Sequence, residues 1–153
     1  MRDDLSKKQG GVILLEALIA IVIFSFGILG MVSLQANAIK QAGDAKMRSD
    51  ASYLADQMIS QMWIDRSNLA DYIHFSTTVS DCHFSGTAST SANVTNWLGS
   101  TSTLEPGTVN ALPNASAQIQ AEPGTGLVTV TICWRAPQET AVHNFTSTAL
   151  ISG

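Results

Sequence analysis

The side chain with the most chemistry in it is Glu16, the one charge in the apolar run VILLEALIAIVIFSFGILGMVSL from Val12 to Leu34. Only Ser25 and Ser33 join it as polar positions in those 23 residues. A carboxylate inside such a run costs roughly 2.5 to 3.5 kcal/mol on membrane-insertion scales, so the spacing calls for a partner. A cut between Gly11 and Val12 would supply one, because the new α-amine at Val12 is a cation four residues before the acid. In a bundle of such helices one molecule's amine would neutralise its neighbour's Glu16 and fix the axial register between them. The plainer alternative leaves Glu16 hydrated among the cytoplasmic headgroups near the start of the run.

Cys82 and Cys133 are the only cysteines. Both follow the apolar run and fall outside the cytoplasm in the topology argued below, so a disulfide is the leading expectation. Closing a loop of about 50 residues is worth roughly 4 kcal/mol on the chain-entropy model. The alternative is a metal site built from Cys82, His83, Cys133 and His143, no two of which show a recognised ligand spacing. His74, His83 and His143 are scattered, and there is no G-x-S-x-G, P-loop, H-E-x-x-H or clustered acid pair. The chain reads as a non-enzyme without a cofactor.

The elements that must position these residues follow from the apolar pattern. Twenty-three residues of helix are enough to cross a hydrocarbon core. Arg2, Lys7 and Lys8 precede the run, so the positive-inside rule keeps the first eleven residues in the cytoplasm and the remainder outside. Two other readings of this segment stand beside that one: a secretory signal cut after Ala36-Asn37-Ala38, and an uncleaved anchor. Beyond the membrane Met47, Ala51, Leu54, Met58 and Met62 recur at steps of three and four, with Ala55 and Ile59 beside them. That is one apolar face of a continuing helix, with Lys40, Asp44, Arg48 and Asp56 opposite and Asp44 placed to pair with Arg48. The helix should stop near Asp65 to Asn68.

More than half of residues 85 to 126 are Ser, Thr, Asn or Gly, a composition that predicts mostly loop. Order returns at LVTVTICW, where Val128, Val130, Ile132 and Trp134 share one face of a strand. Ala117 to Ala121 is its expected partner across Glu122-Pro123-Gly124, and Ala141 to Ile151 the third strand. The fold class is therefore α+β, a long N-terminal helix on a small C-terminal antiparallel sheet. It divides into a leader (1–11), a helix (12–66, with 12–34 in the membrane) and a globular head (67–153). Net charge is -4, and -5 once the leader is removed, which makes a poor non-specific nucleic-acid binder. Asn93, Asn114 and Asn144 begin N-x-[ST] sequons of the kind such composition yields by chance, and no glycosylation is assigned.

The short basic leader ending in Gly11, the apolar helix with Glu at its fifth position and the stretch VILLEALIAIVIFSFGILG together resemble a type IV prepilin. By that resemblance a prepilin peptidase would cleave after Gly11 and methylate the amine of Val12. Glu16 would then guide the subunit into a filament. Pilins also commonly tie their C-terminal region with a disulfide. No proline occurs before Pro106, although many major pilins carry one midway along the helix. With SLQANAIK, SYLADQMISQMW and VTVTICWRAP followed by Ala141-Val142-His143, the chain is most similar to PilV-type minor pilins. That resemblance implies a pilin-like fold and an accessory subunit that helps to initiate or cap a type IV pilus, supporting adhesion and twitching motility. Its implied partners are other minor pilins, the major pilin, the prepilin peptidase and the inner-membrane assembly platform. Its implied location is the bacterial inner membrane, held by residues 12–34, and then the pilus. The runner-up is an I-type minor pseudopilin of type II secretion, and from another class a membrane-tethered binding module. No specific nucleic acid is expected as a partner.

Overall fold

The computed structural model of the chain describes residues 6–99, 112–137 and 139–151, with the side chains of residues 6–10 left aside. The start of the expected leader and the middle of the polar stretch, 100–111, lie outside the described residues. Helix α1 spans Ser6–Ile64, 59 residues without a break. The chain divides into two compact units, Met1–Gly43 and Asp44–Gly153.

The first unit consists, in its described residues, of the early part of α1. All its side chains from Gly11 onward are exposed. Val12, Leu14, Phe24, Phe26 and Leu34 each keep more than 60% of their surface open. The segment is long and apolar enough to cross a membrane.

In the second unit the α+β arrangement expected from the sequence is present. After α1 come a 3-10 helix (Arg66–Tyr72), strands β1 (Thr77–Ser80) and β2 (His83–Ser85), and helix α2 (Ala92–Leu98). Strands β3 (Ser116–Glu122), β4 (Leu127–Trp134) and β5 (His143–Leu150) follow. β3, β4 and β5 form an antiparallel sheet in that order, and β1 and β2 form a separate two-stranded sheet. Ala51, Leu54, Ala55, Met58, Ile59 and Met62 of α1 enter one core with Val128, Val130, Ile132 and Trp134 of β4. The step of three and four on the helix and the alternation on the strand therefore meet face to face. Register pairs such as Ile119↔Val130 and Ile132↔Phe145 extend that apolar layer into both neighbouring strands.

Three expectations need correction. The α-helix ends at Ile64 rather than at residue 66, because the chain from Arg66 tightens into a 3-10 turn that carries Leu69 and Tyr72 inward. The described part of the polar stretch holds more than loop, since it contains β3 and helix α2, whose Val94 and Leu98 are buried. Two apolar residues one turn apart suffice because α2 is fastened by a polar bond, the Trp97 indole N–H donating to the carbonyl of Leu54 at 3.2 Å. Finally, no ion pair joins Asp44 to Arg48 among the described residues, although they lie one turn apart. Exposed pairs of this kind gain at most about 1 kcal/mol and compete with the entropy of two long side chains.

The turn between β3 and β4 sets the end of β5. The N–H groups of Thr125 and Gly126 both donate to Glu122 O, at 3.1 and 2.8 Å. Gly126 has φ +74, and its carbonyl accepts the Ile151 N–H at 2.7 Å. That close approach requires a residue without a Cβ.

Candidate functional site

The first candidate is the start of α1, where Gly11 and Val12 lie about one helical turn before Glu16. A helix forms here because the run from Val12 to Leu34 has no proline and is rich in Leu and Ile, and in an apolar surround every backbone group must be paired within the segment. Its two hydroxyls are satisfied internally. Ser25 Oγ donates to Ile21 O at 2.7 Å and Ser33 Oγ to Leu29 O at 3.0 Å. With backbone and hydroxyls paired inside the helix, an apolar solvent meets one group with unmet polar demand, the carboxylate of Glu16. Glu16 is exposed.

In the second unit Cys82 and Cys133 form the expected disulfide, with Cα atoms 5.9 Å apart across 51 residues of sequence. Neither sulfur is therefore available as a thiolate donor to a metal. The bond joins the tip of the β1–β2 hairpin to β4. His143, on β5, accepts or donates a bond with Glu139 Oε2 through Nε2 at 2.8 Å and stacks on Trp134 with ring centroids 5.9 Å apart. Asp44, Arg48, Trp134, Val142, His143 and Asn144 line an open groove of about 510 Å³. His74 is buried and holds the chain rather than a ligand. Its Nδ1 accepts the Ser89 N–H at 3.1 Å, while its backbone pairs with Ile119. His83 is exposed.

Sequence reasoning missed a polar knot below α1. The Tyr72 hydroxyl donates to Asp65 Oδ2 at 3.1 Å and accepts the Asn93 amide at 2.6 Å, and Asn68 Nδ2 donates to Asp65 Oδ1 at 2.6 Å. It ties the end of α1, the 3-10 helix and α2 together. Asn93, one of the three sequon asparagines, is thereby committed to the fold. Burial pushes the Tyr72 hydroxyl above its ordinary 10.0; the Asn93 bond opposes this and the Asp65 carboxylate adds to it. A group whose folded value is raised contributes stability that is complete below the unfolded value and lost as pH rises through the folded one. The head should therefore soften above about pH 10, and Tyr72→Phe should remove that part of the alkaline dependence. The same change should cost about 1 to 3 kcal/mol at neutral pH, because Asp65 and Asn93 lose a partner. Urea midpoints of both proteins across pH 7 to 11 measure this, and parallel curves would refute it.

Comparison with family models, with curated proteins and with solved structures returns no match, so the reading below stands on the residues themselves.

Proposed function

We propose that this chain is a minor subunit of a type IV pilus, made as a precursor with a cytoplasmic leader, cut between Gly11 and Val12, and drawn from the membrane into a filament. The observation that carries the reading is the first unit of α1. It is a helix whose apolar side chains are exposed on every side, and the one charged group between Val12 and Ile39 lies at the fifth position after the junction. Such a surface needs lipid at one stage and matching helices at another, and Glu16 with a neighbour's Val12 amine supplies the pairing rule between them. The acidic, disulfide-tied head stays outside as the displayed part. Its role is structural: to help initiate or cap the filament together with other minor pilins and the major pilin, and so to support adhesion and twitching.

The experiment is mass spectrometry of the mature N-terminus from cells with and without prepilin peptidase. A methylated Val12 that vanishes with the peptidase is the expected result. An N-terminus at Ile39, or an intact Met1, would end the assembly argument built on Glu16. Deletion then separates the two machines: surface filaments should be lost while protein secretion persists, and the reverse would indicate a pseudopilus.

A further inference from the structure

We infer that residues 76–88 form a redox-released strap, and that the disulfide is its clasp rather than a staple through the core. From Ser76 to Ala88 no residue is buried, and all four residues of β1 are exposed, Val79 at 69%. The segment leaves and re-enters the head at one point, closed by the Phe75 N–H donating to Thr87 O at 3.0 Å. Two positive-φ positions mark that base, Phe75 (+55) and Gly86 (+117), and a third marks the tip, Cys82 (+59). A Cβ on Gly86 would stand 2.9 Å from Ser76 Oγ, so the two legs touch there.

Between base and tip the strap is held to the sheet by few bonds. Thr78 Oγ1 donates to Gln118 Oε1 at 3.0 Å, Gln118 Nε2 donates to Phe75 O at 2.7 Å, and Gln120 Nε2 donates to Ser76 O at 3.0 Å. No apolar layer backs them. Such bonds have a net worth of about 1 kcal/mol each, so the covalent link at the tip dominates. The core is closed by α1, α2 and β3–β5 without any residue of the strap. Opening the clasp therefore frees the strap and leaves the sheet. It uncovers Gln118, 3% exposed with the strap shut, on the outer face that carries Thr129, Thr131, Thr146 and Thr148.

The two sulfurs differ in access. Cys133 is 1% exposed, whereas Cys82 is half-buried, so an incoming thiolate meets Cys82. The partner this fits is a dithiol carrier. One of its thiolates attacks Cys82 Sγ, the S–S bond breaks, and Cys133 leaves as a thiolate that takes a proton. The carrier's second thiol then displaces Cys82, leaving two thiols on this chain and a disulfide on the carrier. Run backwards, the same exchange installs the clasp on a head whose sheet is already folded.

The test is hydrogen exchange on the full chain in detergent micelles, before and after dithiothreitol, repeated on the Cys82→Ser, Cys133→Ser double variant. Amides of β1 and β2 should exchange roughly a hundredfold faster on reduction, the scale of releasing a short closed loop. Those of Ile119, Val130 and Ile132 should still exchange far more slowly than a free chain after reduction, even with the loop-closure contribution to global stability removed, whereas the amides of β1 and β2 should not. Equal loss of protection across β3–β5 would make the bond a core staple and overturn the inference. Unchanged strap exchange, or a bond that dithiothreitol does not reduce in the folded protein, would overturn it as well. If the double variant fails to fold, reduction of the folded natural protein decides alone.

Discussion

Gly126→Ala is expected to destabilise the head by at least about 3 kcal/mol, the range of buried steric and backbone defects rather than of surface changes. A Cβ at this position would overlap the carbonyl oxygen of Ile151 and approach its carbon to 3.0 Å. The neighbour is backbone, not the flexible end of a side chain, so relief requires the end of β5 to move. Moving it breaks the Ile151 N–H bond to Gly126 O and exposes Ile151, which is 4% exposed. The positive φ adds the ordinary cost of a left-handed conformation for an L side chain. For a domain of about 100 residues the melting temperature should fall by more than 10 °C. Gly124→Ala is the control. It lies in the same turn with nothing within 4 Å of its added Cβ, and should change stability by less than about 0.5 kcal/mol. Calorimetry of the two variants beside the natural chain would settle it, and equal melting points would refute the steric account.

The second large effect belongs to the proposed pilus role. Glu16→Ala should leave the chain in the membrane, in undiminished amount, because removing a carboxylate from an apolar segment favours insertion by roughly 2.5 to 3.5 kcal/mol. Its recovery in sheared filaments should nevertheless fall at least tenfold. Loss of a charge partner in an apolar surround costs about 3 to 5 kcal/mol, and tenfold is a conservative reading of that. Quantitative immunoblots of membrane and filament fractions give the ratio. A variant that enters filaments as well as the natural chain would refute the pairing role of Glu16, and absence of both chains from filaments would support the binding-module alternative, in which this helix is an anchor only.

What could be read from the chain beforehand depended on how much apolar signal each element carries. Met47 to Met62 and Val128 to Trp134 bury several large side chains at a fixed period, so their burial faces could be named residue by residue. The pairing of Cys82 with Cys133 followed from there being two cysteines, both beyond the apolar run. Helix α2 carries only Val94, Trp97 and Leu98 on its face, set in a field of Ser, Thr and Asn. Its spacing of three and four, with Ser91 before it and Gly99 (φ +89) after it, was a usable signal that composition outweighed. The strap gave less still, because its tip is turned by a cysteine at positive φ where Asn or Gly would have marked a hairpin. The Tyr72 knot joins residues from three elements and has no local pattern at all. At the start of α1 the case is reversed: the acid at position 16 was plain in the sequence, and the structure adds that the two serine hydroxyls of the run are bonded within the helix.

The order in which the head's parts leave the ribosome differs from the order in which they protect one another. The apolar face of α1 is synthesised first, yet Met58 and Met62 acquire their cover only when β3 and β4 arrive near the other end of the chain. β3, β4 and β5 are neighbours in sequence as well as in the sheet, so they can zip as two successive hairpins, a fast process for lack of long loops to close. The slow and vulnerable interval is the one before that, when a methionine-rich helix face stands open. Holding that face until the last strand emerges is a task for a chaperone.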